Sequence, residues 1–285
     1  MAQSSLQVSL RYDLHPELQS WVLPEGPVPE SRLHDLAVRR LVELLEHWVG
    51  RTGVDAIVTR NLALRFVQEH PKVGIDPDVA LIAPRPASDE ELTSLRLWKP
   101  GHAPPKLSIE VVSQSHPYKD YGRIQERYAA CGAEELLVLD PELYGPATHG
   151  GPYAVQQWLQ REGVFTRVFA GPGPVFSPAL EAWVGARPLA ISADPDRAEP
   201  WLTRAEHAQR EAGRAREAEA RAREAEARAR EAEARAREAE ARAREGETRA
   251  REGETRAREE AAADRQARLE AEARLAELEL REPRG

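Results

Sequence analysis

Two acidic residues in short apolar segments are the groups in this sequence best suited to chemistry. Asp78 lies in PDVALI and Glu110 lies in KLSIEVVS, each among aliphatic neighbours. Burial of a carboxylate costs free energy unless a cation or hydrogen bonds compensate it. Carboxylate and carbonyl oxygens are the ligands that Mg²⁺ and Mn²⁺ prefer. We therefore predict a shared divalent cation at Asp78 and Glu110, with the main-chain carbonyl of Val111 as a third ligand.

This prediction has a definite chemistry and a plain alternative. A divalent cation held by two carboxylates polarises a phosphodiester and lowers the pKa of a water for in-line attack. The alternative is that Asp78 and Glu110 cap helices or form salt bridges. Their spacing in the sequence leaves both interpretations open.

The segments around the two acids alternate between helical and extended patterns. Apolar residues recur at helical spacing in SRLHDLAVRRLVELLEHWVG, with Ser31 as N-cap and Gly50 or Gly53 as the end. The residues expected to face the core are Leu33, Ala37, Leu41, Leu44, Leu45 and Trp48. VDAIVTR, LALRFV, PDVALI, KLSIEVVS and ELLVLDP are predicted strands. YKDYGRIQERYAACG is a predicted helix that begins near Tyr118 or Lys119 and ends at Gly132. This order favours a small α/β sandwich with a mixed sheet.

Beyond this core the patterns are weaker. YAVQQWLQREGVFTRVF predicts a hairpin that turns at Glu162 and Gly163. Residues 171–200 are rich in Gly and Pro, so we expect them to link the head to the tail. His34 and His47 on the first helix have no metal-ligand spacing and are interpreted as surface or satisfied histidines.

Composition limits the classes of protein that fit. The chain has 285 residues, one cysteine and a formal net charge of −8. The first 200 residues carry 26 acidic and 19 basic side chains, which argues against a broad nucleic-acid surface and leaves a local basic patch open. There is neither a long apolar stretch nor a secretory signal pattern. We therefore expect a cytoplasmic protein with no membrane segment.

The C-terminal third is a charged repeat. REAEARA recurs every seven residues from Arg216, which predicts a long helix or coiled coil. Thr203 and Glu206 match a capping box at its start. Glutamates four residues before arginines favour ion pairs within one helix, whereas an alanine seam favours weak self-association. We expect a homo-oligomer through this helix; a solvated single helix and a foreign partner stay open as alternatives.

Several motifs together resemble the Uma2 family, restriction-endonuclease-like proteins of the PD-(D/E)XK nuclease fold. They are PDVALI, LWKPGHAPPKLSIEVVS, YKDYGRIQERYAACGAEELLVLDPE and the charged tail. The resemblance covers roughly residues 30–190. It implies an αβββαβ core with Asp78 and Glu110 as the metal-binding acids. It also implies that Asp120, Tyr128 and Gly132 occupy the family's helix positions.

One signature residue departs from the resemblance. The fold carries a lysine two residues after the second acid, or moved elsewhere; here Val112 occupies the first place. In the family a lysine usually lies four residues before the helix tyrosine, where this chain has Ile124. A basic group is needed to neutralise charge that builds on the phosphate. Arg127 and Lys119 are the basic side chains that we expect to stand in.

The sequence thus predicts four segments. These are a polar lead-in at 1–29, a nuclease-like domain at 30–190, a linker at 191–202 and a heptad-repeat helix at 203–282. We expect a Mg²⁺- or Mn²⁺-dependent DNA endonuclease, with Asp78 and Glu110 on the metal and Arg127 or Lys119 near the scissile phosphate. The alternative is a catalytically impaired module that keeps the fold, binds nucleic acid and uses the tail for assembly.

Overall fold

A computed structural model describes residues 20–23, 31–87, 92–161 and 164–281. It divides into two compact units, Met1–Arg210 and Glu211–Gly285. The predicted lead-in at 1–29 lies outside the described residues except for 20–23. The predicted turn at Glu162 and Gly163 also lies outside them, although the two strands that flank it are described.

The described helices and strands follow each other in the predicted alternation. In chain order they are α1 (Arg32–Thr52), β1 (Ile57–Thr59), β2 (Ala63–Arg65), β3 (Gly74–Ile75), β4 (Val79–Ile82), β5 (Ser94–Arg96), β6 (Leu107–Val111), α2 (Ile124–Cys131), β7 (Glu135–Leu139), β8 (Val155–Arg161), β9 (Val164–Gly171), β10 (Val175–Ser177), β11 (Ala182–Ala186), β12 (Leu189–Ser192) and α3 (Arg204–Arg281).

A six-stranded mixed sheet with the strand order β1-β4-β6-β7-β8-β9 forms the centre of the head. The pairs β1–β4 and β4–β6 are antiparallel, while β6 and β7 are parallel. Parallel neighbours need a crossover connection, which α2 supplies. The order α1, β1, β4, β6, α2, β7 is the αβββαβ core, so the predicted fold class is confirmed. The predicted hairpin is confirmed as well, because β8 and β9 pair antiparallel.

Helices α1 and α2 pack on opposite faces of the sheet. The α1 side packs against Val79, Leu81, Leu107, Ile109 and Val111. The α2 side packs Tyr128 and Ile124 against Ala80, Ile82, Leu136 and Val138. These two sets alternate along β4 and β7, as the two-residue repeat of a strand requires. Both faces of the central strands are therefore buried, which explains their nearly continuous apolar sequences.

Helix α1 is bounded as predicted but turned slightly from the predicted face. Ser31 Oγ accepts a hydrogen bond from the His34 amide, and Gly53 ends the helix with a left-handed φ of 69°. Val38 and Val49 are buried together with the predicted Leu41, Leu44 and Leu45. Leu33, predicted to face the core, is exposed. The buried stripe runs through His34, so of the two interpretations offered for this histidine the surface one is wrong and the satisfied one is confirmed.

Helix α2 begins later than predicted. The sequence indicated a start near Tyr118 or Lys119, but the helix starts at Ile124. Residues 116–122 instead form turns, with the Lys119 amide bonded to the His116 carbonyl and the Gly122 amide bonded to the Tyr118 carbonyl. The end is as predicted, since Gly132 caps the helix with a left-handed φ of 78°. Lys119 consequently lies on a connection and not on a helical face.

The span 171–200 is not the linker that its Gly and Pro content indicated. It forms an antiparallel sheet with the order β10-β11-β12. Val175, Leu180, Val184 and Ile191 are buried in the same cluster as α1. Beyond this sheet, within the predicted 191–202 linker, Trp201 stacks on Trp48 of α1 with ring centroids 5.5 Å apart. These residues belong to the head, because their apolar side chains complete its core.

Helix α3 is stabilised by a capping box at its start and by ion pairs along its length. The predicted capping box is present: the Glu206 amide donates to Thr203 Oγ1, and the Thr203 amide donates to Glu206 Oε2. Beyond Arg210, Glu-to-Arg pairs four residues apart recur from Glu217–Arg221 to Glu252–Arg256. The helix spans about 120 Å at about 1.5 Å per residue. Self-association through α3 stays a prediction.

No helix within the described ranges combines the length and apolarity needed to cross a membrane.

Candidate active site

The strand register sets the two acids opposite each other. Strands β4 and β6 are antiparallel, with Val79 paired to Ile109. Asp78 immediately precedes β4, so the same register continued by one residue would set it opposite Glu110, and directly opposed residues in adjacent strands lie about 5 Å apart at their Cβ atoms. Asp78 is 3% exposed and Glu110 is fully buried. The antiparallel pairing of β4 and β6 agrees with the expected proximity of the two acids, and their sharing of a cation stays a prediction.

One oxygen of Asp78 receives two contacts. His34 Nε2 lies 3.0 Å from Asp78 Oδ2, and the Val111 amide donates to the same oxygen at 2.7 Å. The amide and carbonyl of a residue in a strand face the same edge. The Val111 carbonyl is therefore expected to face the side on which Asp78 lies. Neither of the two contacts uses Asp78 Oδ1.

Glu110 is held by one group on each oxygen. The Tyr128 hydroxyl donates to Glu110 Oε1, and Lys119 Nζ lies 3.2 Å from Glu110 Oε2. The two donors reach the carboxylate from different elements, Tyr128 from α2 and Lys119 from the turns before it. The Lys119 side chain is 46% exposed, so its ammonium connects a buried carboxylate with solvent.

Burial and the proximity of like charges raise the pKa values of carboxyl groups at this site. Burial, together with the negative charge of Asp78, raises the pKa of Glu110 to about 7 against the opposing effect of Lys119. Burial and the charge of Glu110 likewise hold the pKa of Asp120 well above its usual range. The pKa of Lys119 is raised mainly by Glu110, so its ammonium is retained throughout the neutral range.

The donor set fits a hard cation. Three carboxylates, those of Asp78, Glu110 and Asp120, act electrostatically on the single ammonium of Lys119. Asp120 Oδ1 is buried and has no hydrogen-bond partner among the described residues. Within the same residues no group of three or more His, Cys, Asp or Glu side chains is arranged to hold a metal. Mg²⁺ needs only one or two carboxylates, since waters and substrate phosphates complete its shell.

The two basic residues predicted as substitutes for the missing lysine lie in different places. Lys119 contacts Glu110, as described above. The Arg127 guanidinium donates to the Ser20 carbonyl at 3.1 Å and lies over the Trp21 ring at 5.7 Å. Arg127 thus anchors the segment around Trp21, and its hydrogen bond is not to either acid. Ile124, at the family's usual lysine position, is buried beside Tyr128.

His34 is the site residue that sequence reasoning missed. A signal was present, because His34, Val38, Leu41 and Leu45 follow the i, i+4, i+7, i+11 pattern of one helical face. A histidine on a buried stripe needs a polar partner. Histidines in loops have other partners. His102, for example, accepts a hydrogen bond from the Arg96 amide.

A cleft of about 660 Å³ opens beside the site on the α1 side of the sheet. Its walls include His34, Val111, Val112, Arg40, Tyr144 and Arg187. The cleft therefore reaches both the end of β6 and the imidazole that contacts Asp78. The cleft borders His34 and Val111, the two residues that contact Asp78, but neither Asp78 nor Glu110 lines it.

Comparison with known proteins gives the family. A model of the Uma2 family, described as "Putative restriction endonuclease", matches residues 18–161, which is just over half of the chain. The chain belongs to the Uma2 family. A crystal structure described as a "putative nuclease belonging to DUF820", from Anabaena variabilis, is similar at 15% identity and a TM-score of 0.38. That similarity covers 55% of this chain and 78% of the other. No curated protein matches the chain.

Proposed function

We propose that this Uma2 protein is a metal-dependent nuclease that hydrolyses phosphodiester bonds in DNA. The observation that carries the proposal is the contact of Lys119 Nζ with Glu110 Oε2, on the strand directly opposite Asp78. Two acids and one lysine are the functional groups that the PD-(D/E)XK fold requires. The family description of restriction endonucleases supports the same reaction class.

Asp78, Glu110 and the Val111 carbonyl are the proposed ligands of Mg²⁺ or Mn²⁺. When bound, the ion supplies Lewis-acid polarisation of the phosphodiester and lowers the pKa of the attacking water. The protein keeps the ligands in place through the β4–β6 register, which fixes the separation of the two carboxylate-bearing backbones. The Tyr128 hydroxyl holds Glu110 Oε1 and prevents that side chain from rotating away.

Lys119 is the proposed replacement for the lysine that Ile124 displaces. Its pKa is raised by Glu110, so Lys119 acts as a cation and not as a base. A fixed ammonium at this position stabilises the negative charge that grows on the phosphate during attack. We assign Arg127 no part in the reaction, because its guanidinium is engaged by Ser20 and Trp21.

We also propose a partner for helix α3 and a cellular location for the protein. A second copy of this chain is the proposed partner of α3, through the seam that contains Ala218, Ala222, Ala225 and Ala229. Alanine buries little area, so association is expected to be weak. The cytoplasm is the proposed location, on the basis of the single, buried Cys131.

A non-catalytic nuclease-fold module is the second candidate. Ile124 at the usual lysine position favours it, and so does the acidic head, with 26 acidic and 19 basic residues in the first 200. In that case Lys119 would only neutralise Glu110. The fold would then serve nucleic-acid binding or assembly.

Nicking of supercoiled plasmid in Mg²⁺ or Mn²⁺ separates the two candidates. Wild type should nick, and a chelator should abolish nicking. Asp78→Asn and Glu110→Gln keep the side-chain volumes but weaken the ligand charge, so each should lower the rate about 10²-fold or more. Glu134→Gln is the matched control, since Glu134 is an exposed acid next to β7 that pairs with Lys106 on the surface. Equal nicking by wild type, Asp78→Asn and Glu110→Gln would leave the second candidate.

A further inference from the structure

His34 joins helix α1 to the carboxylate at the start of β4. Its Nε2 lies 3.0 Å from Asp78 Oδ2, and both side chains are almost wholly buried, at 3% and 4% exposure. The His34 backbone is also fixed, because its amide donates to Ser31 Oγ at the helix N-cap. The imidazole is therefore positioned by a capped helix and is aimed at one of the two acids.

The two carboxylate oxygens of Asp78 differ in their hydrogen bonding. Oδ2 receives both the imidazole of His34 and the amide of Val111. An ionised carboxylate can only accept hydrogen bonds, so the Nε2 that faces it is the protonated nitrogen of the ring. Two donors on one oxygen fix the rotation of the carboxylate about χ2. Oδ1 is left as the oxygen available to a cation.

We infer that His34 is a positioning residue for the metal site of the proposed nuclease. The inference rests on the function proposed above. His34 orients Asp78 through Oδ2, and it touches neither the cation nor the substrate. Groups that hydrogen-bond a metal ligand typically change metal affinity by 10–100-fold when they are removed. His34 thus links helix α1, which packs on the sheet face opposite α2, to the binding of the ion.

Calorimetric titration of the full chain with Mn²⁺, in the absence of DNA, tests the inference. His34→Leu keeps an apolar volume in the buried stripe but removes the donor, and should weaken Mn²⁺ binding about 10–100-fold. His34→Gln places an amide Nε2 near the imidazole Nε2, and should bind Mn²⁺ within a few-fold of wild type. His47→Leu is the control, since His47 lies on the same helix and its Nδ1 contacts the Leu202 carbonyl. It should bind Mn²⁺ as wild type does.

The outcomes separate this inference from the proposed function. Mn²⁺ binding by wild type with equal binding by His34→Leu would overturn the positioning role alone. Absence of Mn²⁺ binding by wild type would overturn the proposed metal site, and the role of His34 with it. A thermal melt run alongside identifies a purely structural role. In that case His34→Leu and His34→Gln would lose stability alike, and the amide would restore no affinity. If His34→Leu fails to fold, weak binding by a folded His34→Gln also overturns the inference.

Discussion

Glu110 is a residue whose negative charge is opposed by the surrounding structure. It is fully buried in the centre of the sheet, opposite a second carboxylate, and its pKa is raised to about 7 by that burial. Lys119 and Tyr128 each compensate one oxygen, and they do not restore the ordinary pKa. A residue that costs stability at the centre of a core is typical of a functional site.

Replacement of Glu110 by Gln should reveal this cost as a pH dependence of stability. The pKa of Glu110 is raised in the folded state, so the folded state binds the proton more tightly than the unfolded state does. The stability that wild type has relative to Glu110→Gln should therefore be greatest below about pH 4.5 and should fall until about pH 7. The fall should be on the order of 1–3 kcal/mol.

Urea denaturation of both proteins across this pH range, with chelator present, measures the difference. Glu134→Gln provides the baseline for an exposed carboxylate, whose surface ion pair contributes little. A stability difference between wild type and Glu110→Gln that stays flat, or that grows as the pH rises, would contradict the assignment of the raised pKa to Glu110.

Part of the site was predictable at this scale and part was not. Asp78 and Glu110 were found because a two-residue strand repeat places each acid among buried neighbours. His34 was missed because its role depends on which helix packs over β4, and a single sequence does not give that packing. Lys119 could not be preferred over Arg127 from the sequence, because the choice depends on the start of α2.

At the scale of elements, the connection before α2 decides what Lys119 can do. Gly122 lies between the turns and the helix, and glycine disfavours helix continuation. Because α2 starts at Ile124, Lys119 is free of the helical geometry and contacts Glu110. Local propensity marks the end of this helix at Gly132 well. It marks the start poorly, since Arg123 at the N-cap makes no side-chain capping bond.

The sheet β10-β11-β12 shows where composition misleads. Gly and Pro indicated a linker, yet Ala182, Val184 and Ala186 are buried. Polar contacts, which composition does not reveal, also tie this sheet to the central sheet. Buried Glu135 on β7 accepts hydrogen bonds from Gln157 Nε2, Ser177 Oγ and the Ala179 amide. Long-range contacts of this kind join the sheet to the head, and they are not visible in a local pattern.

The start of α3 belongs to the head, which sets the point at which the chain can be shortened. Arg40 of α1 pairs with Glu206 at 2.8 Å, and His47 contacts the Leu202 carbonyl. A chain that ends at Arg210 keeps these contacts and should fold with the thermal stability of the full protein. It should also sediment as a smaller oligomer, because the alanine seam has been removed.

Sedimentation velocity and thermal melts of the two chains test this boundary. A chain that ends at Ala198 is the matched comparison, since it lacks Trp201 and the capping box and should melt at a lower temperature. An insoluble 1–210 chain would contradict the boundary. An unchanged oligomer would contradict self-association through α3, and would leave that helix as a solvated rod held by its own ion pairs.

Across the whole molecule, charge is divided unevenly. The first 200 residues carry the acidic excess, whereas the glutamates of α3 from Glu217 to Glu240 each pair with an arginine of the same helix. A broad electrostatic attraction to DNA is therefore not expected from the head. The proposed recognition of a phosphate would therefore have to be local, and Lys119, which contacts Glu110, is the cation that we propose for it. The proposed activity therefore depends on the Lys119 ammonium.

The most direct test is the rate of Mg²⁺-dependent plasmid nicking when this ammonium is removed and when it is moved. Lys119→Ala should lower the rate about 10²-fold or more, because one preorganised electrostatic contact to the phosphate is lost. Arg127→Ala should stay within a few-fold of wild type. Ile124 and Tyr128 are one helical turn apart and lie in the same buried cluster, and Tyr128 contacts Glu110, so we expect a lysine at position 124 to extend toward Glu110. The double variant Lys119→Ala, Ile124→Lys should therefore recover part of the lost rate. Nicking by Lys119→Ala at the wild-type rate would contradict the account.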